Sequence, residues 1–296
     1  MQLSPETLRL LGAMALRTRR ASFGIRQGSH RSQRRGHGVE FAEYRNYEAG
    51  DNPRYIDWNL FARSDKLLVK RYLEEENVAL HIVIDGSRSL THPALRQKWE
   101  LATYIAAFTS YIALANQDPV TISVLGGAHS PRYWGAKAFY PLSSFLTKSG
   151  ESIISSEPRT LNLLEEARRA AARVSFPGIC LFISDFLYPL EQVALLLASF
   201  RARNMELHAV QVLHASDLNP APESAAISVT DSETGEQLGV MLDSEARNHY
   251  QHLITQHNRR IREHCLSNQM QFVSTVASSD PHHGATDTIT RMGLFI

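Results

Sequence analysis

One almost uninterrupted apolar run constrains the fold of this chain more than any other feature. Residues 78–84 read VALHIVI, with His81 as the only polar side chain. A strand with one face in water alternates apolar and polar residues, whereas this segment is apolar on both faces. It is therefore predicted to be a central strand of a parallel sheet, covered by helices on both sides.

The rest of the chain alternates strand and helix patterns. Strands are predicted at residues 67–73, 120–125, 179–183, 207–213, 227–229, 238–242 and 271–276. Helices are predicted at residues 99–114, 161–174, 190–203 and 244–265, the last capped by Ser244, with a short N-terminal helix capped by Ser4. Such alternation is typical of an α/β fold with an open, doubly wound, mostly parallel, Rossmann-like sheet.

The N-terminal region is strongly basic. No acidic residue lies between Glu6 and Glu40, and this stretch carries Arg9, Arg17, Arg19, Arg20, Arg26, Arg31, Arg34 and Arg35, with glycines between the later ones. It is either a solvated linker or a contact surface for nucleic acid or an acidic partner. We accordingly divide the chain into an N-terminal helix and basic arm (1–38), an irregular segment packed on the core (39–77) and the main domain (78–296).

Composition restricts the setting of the protein. The formal net charge of +1 argues against a protein-wide field for capturing polyanions. The chain has only two cysteines, which form no CxxC motif. A secreted chain of this length usually carries more disulfides, so a reducing compartment is favoured. The apolar stretches are shorter than the roughly 20 residues needed to span a bilayer, and no targeting segment is visible. These features together predict a cytoplasmic protein.

Oxygen-bearing side chains follow two of the predicted buried strands. Asp85, Ser87 and Ser89 come directly after the first, Asp185 follows strand 179–183, and Thr160 precedes a predicted helix. Carboxyl ends of parallel strands share one edge of the sheet, where ligands bind. Oxygen donors of this kind suit Mg²⁺, Ca²⁺ or Mn²⁺ rather than zinc. The D-x-S-x-S pattern alone also occurs in turns and helix caps, and its placement is what predicts a metal site.

At this point the sequence resembles a known family. The loop Asp85-Gly86-Ser87-Arg88-Ser89 looks like the metal-ion-dependent adhesion site of von Willebrand factor A domains. The preceding segment is similar to the signature of domain-of-unknown-function family 58, bacterial proteins that resemble von Willebrand A domains and tend to accompany MoxR-type AAA+ ATPases. The signature residues are Phe41, Tyr44, Arg45, Tyr47, Gly50, Asp51, Arg54, Ile56, Asp57, Trp58, Ala62, Arg63 and Glu76.

The resemblance covers about residues 35–276 and implies a von Willebrand factor A-like fold. It makes Asp85, Ser87 and Ser89 the first metal loop, Thr160 the second and Asp185 the third. Arg159 stands before Thr160 where relatives often have glycine. The resemblance further implies an open coordination position on the cation, filled by an acidic side chain of a partner protein. It points to a MoxR-type AAA+ ATPase and its client as partners.

The signature segment has two interpretations. Its charged and aromatic residues of interest are Arg45, Asp51, Arg54, Asp57, Trp58 and Arg63. In the first interpretation Asp51, Asp57, Arg54 and Arg63 form a buried ion-pair layer that braces the core. In the second, the segment lies beside the metal site and offers a carboxylate that competes with the partner, which would make it regulatory.

Two other function classes compete with protein recognition. A hydrolase could use Asp85 with a divalent metal, but position 87 is Ser where a second Asp is usual for aspartyl phosphotransfer. Neither a phosphate-binding glycine loop nor a G-x-S-x-G elbow is present. The helical histidines 249, 252, 257 and 264 make no HExxH, and His282-His283 is expected in a solvated turn. A nucleic-acid-contacting protein would have to rely on the arginine arm, which lacks nearby aromatic platforms.

The sequence therefore favours a non-enzymatic, metal-dependent protein-interaction module. Its expected role is that of an accessory or adaptor protein of a MoxR-type AAA+ ATPase in the maturation or remodelling of a client complex, with the ATPase partnership implied by the family resemblance alone. No cofactor besides the divalent cation is expected.

Overall fold

A computed structural model describes residues 4–16, 40–73, 78–155, 161–174, 178–219, 225–230 and 237–294. Its contacts divide the chain into two units. One comprises Arg20–Asn77, and the other comprises Met1–Arg19 together with Val78–Ile296.

The strands and helices are numbered in chain order. The strands are β1 (Glu40–Asn46), β2 (Leu68–Leu73), β3 (Ala79–Ile84), β4 (Val120–Val124), β5 (Gly178–Ser184), β6 (Glu206–Leu213), β7 (Ala225–Thr230), β8 (Gln237–Leu242) and β9 (Gln271–Val276). The helices are α1 (Pro5–Gly12), α2 (Trp58–Ser64), α3 (Arg88–Thr91), α4 (Arg96–Ala115), α5 (Phe139–Ser155), α6 (Leu163–Ala172), α7 (Leu190–Arg201), α8 (Ala215–Leu218), α9 (Ser244–Ser267) and α10 (Pro281–Met292).

The smaller unit is more regular than its sequence indicates. Strands β1 and β2 pair antiparallel, and the short helix α2 lies between them in the chain. The prediction of an irregular segment was therefore wrong for this part, although strand β2 was expected. Periodicity failed for β1 because its sequence, EFAEYRN, carries charges of both signs and lacks the apolar alternation of a half-buried strand.

The larger unit is built on a five-stranded sheet in the order β4-β3-β5-β6-β9, with every neighbouring pair parallel. In the register, Ile84 at the end of β3 pairs with Val124 of β4 and Ile183 of β5. The residues that follow β3 and β5 therefore emerge side by side at the carboxyl edge. Strands β7 and β8 form a separate antiparallel pair.

Both faces of this sheet are covered, as predicted. Leu80, Ile82 and Ile84 of β3 pack in one apolar cluster with side chains of α1, α4, α5 and α10. Val83 belongs to a second cluster, formed with α6, α7 and α9. Because successive side chains of a strand point to opposite faces, the apolar run at β3 supplies both layers. The predicted α/β, doubly wound parallel fold is confirmed.

Several helix predictions need correction. Asp243, and not Ser244, caps α9, since its side chain accepts the backbone N–H of Ala246. Helix α5 was not anticipated. The pair His282-His283 is exposed, as expected, but it lies in the first turn of helix α10, because Asp280 caps that helix and Pro281 begins it.

The N-terminal helix packs within the larger unit. Leu11 of α1 is buried in the first apolar cluster. The side-chain amide of Asn116, at the end of α4, donates to the carbonyl of Met14 at 2.7 Å. Within the described ranges, no helix combines the length and the apolar character needed to cross a membrane.

Candidate metal centre

The loop 85–89 continues directly from the central strand. The backbone N–H of Asp85 donates to the carbonyl of Ile183 at 2.9 Å, which extends the β3–β5 pairing by one residue. A Cβ atom on Gly86 would overlap with the Leu125 carbonyl oxygen and the Ile153 side chain, because both lie closer than van der Waals contact allows. Only glycine fits there, and the loop is thereby held against the ends of β3 and β4.

Three oxygen-bearing side chains converge in this loop. Oδ1 of Asp85 accepts the backbone N–H of Ser87 at 2.9 Å, and the hydroxyls of Ser87 and Ser89 lie 3.1 Å apart. The Thr91 hydroxyl donates to the Ser87 carbonyl at 2.8 Å, which fixes the start of α3. Asp85 and Ser87 are each only 1% exposed. The curled geometry expected from the D-x-S-x-S spacing is present.

Two hydroxyls contact the Asp85 carboxylate from behind the loop. Its Oδ2 accepts the Ser184 hydroxyl at 2.6 Å and the Tyr188 hydroxyl at 3.0 Å. Burial raises the pKa of Asp85 from 3.8 to about 6, and the negative charge of Asp185 adds to this, while hydrogen bonds from Ser184 and Ser87 oppose it. The ionised form of Asp85 is thus held at a cost that a bound cation would offset.

Asp185 lies at the same edge but already has a cationic partner. Its Oδ2 lies 2.7 Å from the Nζ atom of Lys98, which is also 3.0 Å from Oδ2 of Asp217. Burial lowers the pKa of Lys98, but the attraction of the two carboxylates outweighs it, so the pKa lies above its ordinary value. Lys98 is therefore shared between two carboxylates and offsets one of their two negative charges.

Sequence reasoning overlooked the side chains that contact Asp85 and Asp185. Ser184, Tyr188, Lys98 and Asp217 carry no motif of their own. The available signal was Lys98, a lysine within the long apolar helix α4 that is fully buried. A buried lysine requires a carboxylate partner, and this requirement could have directed attention to the aspartates at the sheet edge.

Thr160, the predicted second-loop ligand, lies outside the described residues, and so do the stretch 231–236 and the basic arm from residue 17 to 39. Asp85, Ser87, Ser89 and Asp185 are therefore the predicted ligands whose positions are known.

The buried ion-pair layer predicted for the signature segment is wrong. Arg54 and Arg63 are exposed. Asp51 instead pairs with Arg45 at 2.6 Å, and Asp57 caps helix α2 while accepting the Tyr44 hydroxyl at 2.8 Å. The capping role explains an aspartate at the residue before Trp58, since its side chain satisfies the first backbone donors of the helix. The regulatory interpretation stays a prediction.

The donor set fits a hard cation. Across the described ranges, no group of three or more His, Cys, Asp and Glu side chains is placed to hold a metal ion. A cation at this edge would depend on the Asp85 carboxylate and the hydroxyls of Ser87 and Ser89, which are the oxygen ligands that Mg²⁺ accepts. Such a set leaves several positions of an octahedral ion to water or to a partner.

Comparison with known proteins extends these observations. Two curated relatives, an uncharacterized protein of Mycobacterium bovis and one of Mycobacterium tuberculosis, are each 24% identical over 235 residues, covering 78% of this chain and 72% of the relative.

Among solved structures, the chain is similar to a conserved hypothetical protein BatB from Bacteroides thetaiotaomicron, with a TM-score of 0.40 and 15% identity over 73% of this chain and 98% of that one. It is also similar to the SpRpn10 VWA domain, with a TM-score of 0.37 and 12% identity over 74% and 97% of the two chains. At TM-scores this low, the likeness supports no conclusion about function.

The family comparison is decisive for membership. The model described as "Protein of unknown function DUF58" matches residues 43–260. This range contains most of the signature from Tyr44 to Arg63, the loop 85–89 and Asp185, so the resemblance noted in the sequence is confirmed. The chain belongs to the DUF58 family.

Proposed function

We propose that this protein is a non-enzymatic interaction module that captures an acidic side chain of a partner protein through a divalent cation held by Asp85, Ser87 and Ser89. The observation that carries the proposal is the convergence of these three side chains at the carboxyl edge of the sheet, where burial raises the pKa of Asp85 and a bound cation would favour its ionised form.

The charge balance at this edge supports a bridging role. Mg²⁺ prefers six oxygen ligands and retains water where protein ligands are missing. The cation, when bound, supplies an attraction for a carboxylate. Lys98 is ion-paired with Asp185, whereas the Asp85 carboxylate accepts hydrogen bonds from hydroxyls and a backbone N–H and is open to a cation. A partner's Asp or Glu would then be drawn to the open coordination position of the ion itself.

The partner we propose is a MoxR-type AAA+ ATPase, which the protein would serve as an accessory in the maturation or remodelling of a client complex. This part of the proposal rests on the association of the family with such ATPases. The Asp85 site supplies a physical means of attachment, since surface carboxylates are common ligands for a protein-bound cation.

The first test is calorimetric titration of the purified protein with MgCl₂ and with MnCl₂. Asp85→Ala and Ser87→Ala are expected to lose cation binding. Asp118→Asn is the matched control, because this buried aspartate precedes β4 and so lies at the opposite edge of the parallel sheet. If Asp85→Ala bound either cation as the unaltered protein does, the metal site would be excluded.

The second test addresses the partner. The MoxR-type ATPase encoded nearest this protein is passed over the immobilised protein in magnesium and then in EDTA. Retention in magnesium that is lost in EDTA and in Asp85→Ala is expected. Equal retention in all three conditions would contradict a metal bridge, and no retention in any would contradict this choice of partner.

A further inference from the structure

A second concave site lies on one face of the main sheet. A pocket of about 230 Å³ opens between the edge strand β4 and helix α6. Ala79 and Pro119, which mark the amino ends of β3 and β4, line one end of it, and Val83, two residues before Asp85, lines the other. Its lining includes neither Asp85 nor the serines of the metal loop, so its ligand groups differ from those of the candidate metal centre.

The floor of this pocket is polar where the neighbouring strand is apolar. Nδ1 of His81 lies 2.6 Å from the Thr121 hydroxyl, and Nδ1 of His129 lies 3.0 Å from the Ser123 hydroxyl. On the same face, β5 presents buried Cys180 and Phe182 to the second apolar cluster. His81 is buried, whereas Thr121, Ser123 and His129 are partly exposed, so both imidazole–hydroxyl pairs lie where a polar ligand can contact them.

The remaining walls combine apolar surface with positive charge. Ala170, Val174 and Phe200 form an apolar side, and the exposed residues Arg132 and Arg173 complete the lining. Among the described residues that line the pocket, none is acidic.

The neighbouring charges act on His129. Burial lowers the pKa of His129, and the positive charge of Arg173 lowers it further, with Glu166 opposing. The lowered pKa favours the neutral form of His129, so the positive charge of the lining comes from Arg132 and Arg173.

We propose that this pocket binds a small phosphate monoester. A phosphate group presents several strong acceptor oxygens and up to two negative charges, which match two guanidinium groups together with imidazole and hydroxyl donors. The apolar side accommodates a short carbon skeleton, and the volume limits the ligand to a small metabolite. This site is independent of the metal loop and does not rest on the proposed function.

The test is calorimetric titration with glycerol 3-phosphate in EDTA, with glycerol and inorganic phosphate titrated in parallel. Saturable binding of glycerol 3-phosphate at one site is expected, together with weaker binding of inorganic phosphate and no binding of glycerol. Arg132→Gln and Arg173→Gln should each weaken binding by at least about tenfold, because hydrogen bonds to charged groups are the strong ones.

Two variants serve as controls. Arg169→Gln removes a guanidinium from the same helix, α6, where it pairs with Glu165 and Glu166 outside the pocket lining, so its affinity should be unchanged. Asp85→Ala should also leave the affinity unchanged, which separates this site from the metal loop. Failure of glycerol 3-phosphate to saturate the protein, or equal affinity in Arg173→Gln and Arg169→Gln, would overturn the proposal.

Discussion

Lys98 and Asp185 form a fully buried ion pair, with Nζ and Oδ2 2.7 Å apart and neither side chain exposed to solvent. The same ammonium lies 3.0 Å from the carboxylate of Asp217, which belongs to helix α8. Lys98 therefore ties α4 to the segments that follow β5 and β6. It also makes the two aspartates beside the metal loop unequal, since Asp185 is ion-paired with a lysine whereas Asp85 is hydrogen-bonded by hydroxyls and a backbone N–H.

Replacing this lysine should be severely destabilising. In Lys98→Met, Asp185 and Asp217 lose their buried counter-charge, and we expect the free energy of unfolding to fall by about 3 to 5 kcal/mol. Urea denaturation measures the change. Lys148→Met on the exposed side of α5 is the matched control and should stay within about 0.5 kcal/mol of the unaltered protein. If both variants had the same free energy of unfolding, the Lys98–Asp185 pair would not contribute to stability.

The same variant reports on the cation. Freed from Lys98, Asp185 becomes available to the metal loop, so added MgCl₂ should raise the unfolding midpoint of Lys98→Met more than that of the unaltered protein. An equal magnesium response in the two proteins would mean that Asp185 does not reach the ion even when it is released.

Asp118 gives a prediction about pH. Burial raises its pKa from 3.8 to about 6, although the backbone N–H of Val78, which donates to its Oδ1 at 2.8 Å, works in the opposite direction. The folded state therefore holds this proton to a higher pH than the unfolded chain does. The resulting stability is fully present below about pH 4 and is lost as the pH rises through about 6.

Asp118→Asn isolates this contribution because asparagine keeps the acceptor oxygen but does not ionise. Relative to this variant, the unaltered protein should lose up to about 3 kcal/mol between about pH 4 and pH 7.5. Urea denaturation in EDTA at several pH values measures it. Asp85, whose pKa is raised in the same direction, titrates in both proteins and cancels in the difference. Parallel stability curves would contradict the prediction.

Gly86 should not tolerate a side chain. The added methyl group of Gly86→Ala would collide with the Leu125 carbonyl oxygen, which is backbone and cannot rotate away. We expect a loss of about 1 to 3 kcal/mol of stability and weakened cation binding, because the loop must move away from β4. Gly239→Ala is the control, since a methyl group there meets no atom within 4 Å. Equal stability of the two variants would refute the steric argument.

The sequence predicted the parts of the fold that depend on long apolar patterns. The run at β3 identified a central parallel strand, and the polar residues that follow β3 and β5 emerged at one sheet edge, because parallel topology requires it. In the smaller unit β2 was predicted, but β1 and α2 were missed because charged and aromatic residues hide any apolar period in them. Helix α5 was missed because serines, a glycine and a proline interrupt its apolar spacing.

The sequence predicted the site residues of the loop 85–89 and Asp185, but not the side chains that contact them. Asp85, Ser87 and Ser89 are close in sequence, so their spacing carries the geometry. Lys98 reaches Asp185 across 87 positions of the chain, and Ser184 reaches Asp85 across 99. Such pairs depend on tertiary packing, which leaves no local pattern in one sequence.

His282 provides the last prediction, because its side chain contacts two other helices. Its Nε2 lies 2.8 Å from the Thr7 hydroxyl, and its ring meets that of Phe108 edge to face with centroids 5.0 Å apart. The residue thereby links α1 and α10 to α4. His282→Ala should lower the free energy of unfolding by about 1 kcal/mol. Amide hydrogen exchange should accelerate in α1 before other helices, since α1 loses one of its tertiary anchors. His283→Ala, one residue away, keeps the backbone N–H that Asp280 caps and should leave both measurements unchanged, and an equal acceleration of α1 in the two variants would show that His282 does not anchor α1.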